Sequence, residues 1–415
     1  MLSSRNKFKY NILSVFYAAC GLCFFVAMLI LPQETFQGAR YGLELWAAIL
    51  VPSLLPFFII AEILLYLGIV KMLGELVEPL MRPLFNLPGA ASFVVAMGFT
   101  SGFPMGAVLT RRLCEEKMCS VYEAERLVAF TNNSSPLFIL SAVAVGMFDN
   151  PLLGLILAAA HYSSNIVIGI LLGFFSSRGI SGKPFSKENL FARSIRVLLS
   201  AQQSRKPLGK MLGDAIKTGI SNITVIGGFV ITFAVLTRLL TATGITGQVM
   251  KLLILILQTF GQSPALSPAF TVGFWEMTLG LRELSFPVLS ITEKAVAASI
   301  ILGWSGLSIQ AQVTSVLAGS GIRPYFYYWS RVLQASLAGV AAYVLSKTAG
   351  IWADFVSLPA FSFSESKNAL AFVKFTLSVS IPLIFKSCCA LFIVMLAISC
   401  LIQSFKIMYN FTTRN

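Results

Sequence analysis

Two runs of small polar residues stand inside apolar sequence, at residues 100–102 and 131–135, and a proline closely follows each. Such a run cannot face hydrocarbon as a regular helix, because each unpaired polar group costs on the order of several kcal/mol there. We therefore predict broken helices whose N–H groups and side chains contact an anionic ligand. The candidate binding residues here are Thr100, Ser101, Gly102, Thr131, Asn132, Asn133, Ser134 and Ser135. The alternative is that these side chains only join helices to one another.

A second, more degenerate copy of this pattern follows later in the chain. Residues 98–101 recur as residues 273–276, and residues 123–139 align without a gap onto residues 293–309. The candidate binding residues in this copy are Trp275, Glu276, Trp304 and Ser305. Glu276 is the one carboxylate predicted at the depth of the breaks, so it either couples a proton, binds a cation or pairs with Arg282.

Other charged or titratable residues lie near the predicted breaks. Arg111 and Arg112 either recruit an anion at the cytoplasmic mouth or anchor a span in the ordinary way. His161 and Asn165 share one helix face, where a lone histidine is either a proton relay or a hydrogen-bonded core residue. The candidates for anion recruitment or coupling are Arg111, Arg112, His161, Asn165 and Arg282.

Enzyme chemistry has no support in the sequence. There is no phosphate-binding loop, nucleophile elbow or His-Glu-x-x-His zinc helix. The seven scattered cysteines and the single histidine form neither a disulfide framework nor a metal-binding pattern. We expect no catalytic residue, no cofactor and no metal site.

The composition is that of a membrane protein. The 415 residues are 56% hydrophobic and only 12% charged, with a mean hydropathy of +0.81, whereas soluble domains carry roughly 25% charged residues. The net charge of +14 comes from basic residues between apolar runs, so it predicts orientation in a lipid bilayer rather than nucleic-acid binding. The predicted fold is an all-α polytopic membrane protein with about eight transmembrane helices, two re-entrant hairpins and broken helices.

The apolar runs and polar stretches divide the chain into five parts. We predict an N-terminal transmembrane helix and loop over 1–44, the loop being 32–42, and a first repeat over 45–175. A basic cytoplasmic loop spans 176–210, a second repeat spans 211–347, and a polar loop with a C-terminal transmembrane region spans 348–415. Counting spans between the copies makes the second repeat inverted, which is the architecture of secondary transporters.

The two polar runs and their flanks carry a family resemblance. Gly98-Phe99-Thr100-Ser101-Gly102-Phe103-Pro104-Met105-Gly106 and Ala129-Phe130-Thr131-Asn132-Asn133-Ser134-Ser135-Pro136-Leu137-Phe138-Ile139 resemble the YlbJ-type sporulation integral membrane proteins. These belong to the nucleoside-recognition, or Gate-domain, superfamily. The resemblance implies a spore-forming bacterium, the outer forespore membrane and transport of dipicolinic acid, a flat aromatic dicarboxylate.

Two other functions stay open beside anion transport. One is a membrane scaffold or assembly factor of sporulation that recruits partners through the basic loop at 176–210. The other is Gate-type transport of nucleosides or ions. A homo-oligomer is compatible with all of these functions.

The basic residues predict that the N-terminus, residues 176–210 and the C-terminus are all cytoplasmic. A cysteine introduced as Lys187→Cys should therefore resist a membrane-impermeant thiol reagent in intact cells and react after permeabilisation. Labelling of intact cells at this position would contradict both the topology and the inverted repeat.

Overall fold

The computed structural model describes residues 4–176, 190–203 and 207–347, and this part of the chain is helical throughout, without a strand. Four helices in it are long and apolar enough to cross a bilayer: Pro32–Tyr66, Pro151–Phe174, Leu208–Ala242 and Ile291–Leu317. The all-helical class is confirmed, whereas the number of about eight spans and the re-entrant hairpins stay predictions. The C-terminal region predicted over 348–415 lies outside the described residues.

The helices alternate between long rods and short segments that end at chain breaks. In the first half they are α1 (Ser4–Ile30), α2 (Pro32–Leu45), α3 (Val51–Tyr66), α4 (Ile69–Phe85), α5 (Ala91–Ser101), α6 (Met105–Glu115), α7 (Val121–Thr131) and α8 (Pro151–Phe174). Later in the chain they are α9 (Leu190–Gln203), α10 (Leu208–Ala242), α11 (Ile245–Thr259), α12 (Ser267–Trp275), α13 (Met277–Ser285), α14 (Ile291–Trp304), α15 (Gly306–Leu317) and α16 (Tyr325–Lys347). Two π-helical segments, Trp46–Leu50 and Phe138–Met147, and a short 3₁₀ turn, Pro264–Leu266, complete the order.

The loop predicted over 32–42 is wrong, because these residues form helix α2. Pro32 stands in the first turn, where its missing N–H leaves no helical bond unmade. Gly38 and Gly42 lie one helical turn apart and press against α10. A Cβ on Gly42 would lie 2.8 Å from the Cα of Ile231. The residues whose polar composition predicted a loop therefore form a helix, and two of its glycines allow its backbone to pack closely against that of α10.

The basic segment at 176–210 also differs from the expected loop, because it contains helix α9. This helix packs on α4, where Arg193 forms ion pairs with Glu75 and Glu78. The rest of the predicted loop, residues 177–189 and 204–206, lies outside the described residues. Part of the basic segment is therefore tied to the helical body.

The two halves repeat one order of elements. In the first half, the short pair α5 and α6 precedes α7, which ends at a break over residues 132–135. In the second half, α12 and α13 precede α14, which ends at Ser305. Both α7 and α14 start with a capping box, formed by Ser120 with Glu123 and by Ser290 with Glu293. The predicted repeat, its bounds and its inverted orientation stay predictions.

The close contact between α2 and α10 generates a stability prediction. Gly42→Leu should destabilise the protein by about 1–3 kcal/mol, because the side chain must push two backbones apart. Thermal unfolding in detergent measures the loss. Gly228→Leu is the matched control, since Gly228 lies on α10 with no neighbouring atom within 4 Å of the position that a Cβ would take. Equal thermal stability of the two variants would show that the α2–α10 contact tolerates a larger spacing.

Candidate functional site

The chain breaks of the first and second halves meet at one place. Gly102, between α5 and α6, has a φ of +81°, and a Cβ there would lie 2.9 Å from the backbone nitrogen of Ser135. In the second half, a Cβ on Gly306 would lie 2.9 Å from the backbone nitrogen of Met277. The Ser134 hydroxyl contacts the Met277 sulfur at 3.7 Å and so connects the two pairs of breaks. Only glycine permits these approaches without strain.

A cavity of about 60 Å³ lies where the breaks meet. Five predicted binding residues line it: Ser101, Gly102, Ser134, Ser135 and Glu276. Apolar side chains from α3 and α10 close its other sides. A neighbouring pocket of about 240 Å³ shares Ser101 and Ser135 and adds Thr100. Gln312 of α15 lines both spaces.

The break after α7 is held by side chains of α8. The Ser134 backbone N–H donates to Nε2 of His161 at 3.2 Å, and the Tyr162 hydroxyl donates to the Ser134 carbonyl at 2.8 Å. His161 is fully buried, and its carbonyl oxygen accepts a hydrogen bond from the Asn165 amide at 3.0 Å. His161 and Asn165 therefore act on the cavity through the backbone and do not line it.

Three predicted binding residues of the same run do not line the cavity. Asn132 accepts a hydrogen bond from the Ala107 N–H at 2.9 Å and donates to the Val128 carbonyl at 2.8 Å. Thr131 and Asn133 donate to carbonyl oxygens of their own helix, at 2.7 and 3.1 Å. All three residues are fully buried, and Asn132 joins α6 to α7. The alternative of joining helices describes the hydrogen bonds of Asn132. The side-chain oxygen of Asn133 is buried without a hydrogen-bond partner among the described residues, and ligand contact by these residues stays a prediction.

Glu276 is the buried carboxylate that the sequence singled out, and its surroundings are specific. It precedes α13 and accepts a hydrogen bond from the Leu279 N–H at 2.6 Å, which makes it the N-cap of that helix. Arg282 lies over the ring of Phe286, 4.8 Å from its centroid. The structure shows no ion pair between Glu276 and Arg282, so the pairing alternative is not what these two described residues do.

The remaining predicted residues lie around the cavity rather than in it. Trp304 donates from its indole nitrogen to the Phe274 carbonyl at 3.0 Å, and the two rings stack. Ser305 is buried with a φ of +69° at the second break. Trp275 is partly buried at the end of α12 and does not line the cavity.

The two arginines predicted to recruit an anion are engaged with protein groups. Arg111 pairs with Glu115 and donates to the Val316 carbonyl at 2.9 Å. Arg112 pairs with Glu116 on the exposed side of α6. Neither lines the cavity at the breaks.

Arg331 on α16 is the residue that sequence reasoning missed. It is 0% exposed and donates to the carbonyls of Ala129 and Asn132, at 2.7 and 3.0 Å. The signal was available, because an ionisable residue inside an apolar span marks a functional site by default. Within the described residues there is no group of three or more side chains placed to hold a metal ion.

The hydrogen bonds of Asn132 generate a prediction that separates structure from ligand contact. Asn132→Leu should destabilise the protein by roughly 1–3 kcal/mol, because it leaves the buried Ala107 N–H without its acceptor. The melting temperature of the purified variant in detergent is the readout. Thr100→Val is the control, since it removes a hydroxyl that bonds only within its own exposed turn. A melting temperature unchanged by Asn132→Leu would restore the hypothesis that this residue contacts the ligand.

Comparison with known proteins places this site in a family. The Gate family, described as nucleoside recognition, matches residues 47–164, which include the first break. The sporulation integral membrane protein YlbJ of Bacillus subtilis (strain 168) is 39% identical over 347 residues, covering 82% of this chain and 85% of the relative. No solved structure matches the chain. With this identity over most of both chains, the protein belongs to the YlbJ family of sporulation integral membrane proteins.

Proposed function

We propose that the protein transports a small organic anion across the bilayer, with dipicolinic acid crossing the outer forespore membrane as the expected substrate. The observation that carries the proposal is that three helices start at one cavity. They are α6, the helical stretch from Pro136 and α13. Helix N-termini carry partial positive charge and exposed N–H groups, which favour anions. Discontinuous helices that meet at a substrate site are the usual construction of secondary transporters.

Free polar groups at the cavity add to this support. The Gln312 side chain lines both spaces, and the described residues offer its amide no hydrogen-bond partner. An amide and the hydroxyl of Ser135 can bind a carboxylate, while Phe58 and Phe103 supply aromatic faces for a flat ring. Glu276 in its ionised form opposes a dianion, and its side chain caps the start of α13.

The size of the cavity requires movement during transport. A space of about 60 Å³ holds a few water molecules, whereas pockets for organic ligands measure roughly 300–1,000 Å³. The breaks at Gly102 and Gly306 would therefore have to separate for an aromatic dicarboxylate to pass. Rocking of one repeat against the other is how inverted repeats alternate access.

A second candidate, transport of a nucleoside or a cation, is favoured by Glu276. This fully buried carboxylate lines the cavity, where it suits sugar hydroxyls or a positive charge better than a dianion. Competition by uridine or by monovalent cations in the uptake assay below separates the two candidates.

Proteoliposomes holding the purified full-length protein should accumulate labelled dipicolinate. Gln312→Leu should lower this uptake about tenfold or more, because the substrate loses a buried hydrogen bond, while the melting temperature changes little. Gln258→Leu on the exposed face of α11 is the matched control and should transport normally. Wild-type vesicles that exclude dipicolinate would refute dipicolinate as the substrate, and a scaffold would leave all variants equally inactive.

A further inference from the structure

Arg331 carries a positive charge into the protein interior, and no carboxylate among the described residues pairs with it. Its hydrogen-bond partners within the described chain are the carbonyls of Ala129 and Asn132, the hydroxyl of Ser330 and the amide oxygen of Asn165. The Tyr327 ring lies beneath the guanidinium, 5.0 Å from its carbon to the ring centroid. Burying an ion without a counter-ion is costly, so its presence calls for a reason.

The carbonyls that Arg331 binds belong to the end of α7. Ala129 lies in the last turn of this helix and Asn132 is its C-cap residue, two positions before Ser134 in the cavity wall. The C-terminus of a helix carries partial negative charge. Without a cation, this end would repel an anion arriving at the break, and the guanidinium cancels that repulsion.

In the second half, uncharged side chains bind the carbonyls at the corresponding helix end. At the end of α14, the Trp304 carbonyl accepts a hydrogen bond from the Gln310 amide at 3.1 Å. The Gly303 carbonyl contacts the Ser305 hydroxyl at 3.5 Å. Neutral donors therefore suffice to satisfy the carbonyls at such a break. The charge of Arg331 exceeds what hydrogen bonding at the helix end requires.

We propose that Arg331 is the residue that sets the cavity's preference for anions, acting through the end of α7 and not by touching the substrate. The inference rests on the proposed function, because it assumes that the cavity admits a small organic anion. The charge of Arg331, more than its hydrogen bonds, determines which ligands approach Ser134 and Ser135.

The test measures the sign of the potential at the cavity without using a substrate. In a full-length chain whose seven cysteines are replaced by serine, Ser135→Cys places one thiol in the wall shared by both pockets. Membrane vesicles are then labelled with an anionic or a cationic methanethiosulfonate of similar size. Arg331→Gln should lower the ratio of anionic to cationic labelling rates about tenfold or more, as Coulomb's law predicts for a lost charge in a weakly screened interior. Arg331→Lys keeps the charge and should keep the ratio.

Arg126→Gln is the matched control for losing a buried arginine that caps a helix. Arg126 donates to the carbonyls of Phe85 and Asn86 at the end of α4, away from the cavity. The control should leave the labelling ratio unchanged. A ratio that falls equally in the glutamine and lysine variants, or equally in the control, would overturn the inference. Because the readout needs no transport, failure of dipicolinate uptake would refute the proposed substrate and leave this result to be judged by itself.

Discussion

The structure depends on how the backbone at the break after α7 finds hydrogen-bond partners in an apolar environment. A chain that stops being helical within a bilayer loses the partners that its own helix provided. Here three other helices replace them: His161 and Tyr162 from α8 bind Ser134, the N–H of Ala107 in α6 binds Asn132, and Arg331 from α16 takes the carbonyls. The cavity therefore depends on helices distant in sequence, which together fix the position of residues 132–135.

Two buried ionisable side chains around the breaks lie at helix ends whose partial charges complement them. Arg331 lies at the negative end of α7, and Glu276 lies at the positive start of α13. Each of these buried ionisable side chains lies at a helix end whose partial charge is opposite to that of its ionised form, which reduces the cost of ionisation away from water. Arg331 lies on the Ser134 side of the contact between Ser134 and Met277, and Glu276 lies on the Met277 side. The two halves of the cavity therefore present unlike surroundings to a ligand.

The local sequence pattern predicted the features that depend on residues adjacent in sequence. The break at 132–135 was predictable because a polar run followed by proline cannot continue a helix in lipid. The copies were visible as aligned segments that begin at Glu123 and Glu293, and the structure adds that both residues belong to a capping box. Helix α2 was not predictable in this way, because its polar residues and glycines are explained only by the contact with α10. Likewise, whether Asn132 faced a ligand or the N–H of Ala107 depended on where α6 lies, which no local pattern contains.

The bond from the Ser134 N–H to His161 also fixes the tautomer of the imidazole. A backbone N–H can only donate, so Nε2 holds a lone pair and the proton of the neutral ring lies on Nδ1. The Gln334 amide nitrogen is 3.3 Å from Nδ1. When the amide is turned so that its oxygen faces the ring, that oxygen accepts a hydrogen bond from the Nδ1–H group. A proton on Nε2 and the bond to Ser134 therefore exclude each other. A proton on Nε2 would leave Ser134 attached to α8 by Tyr162 alone, so protonation of the ring and the attachment of this backbone N–H to α8 are coupled.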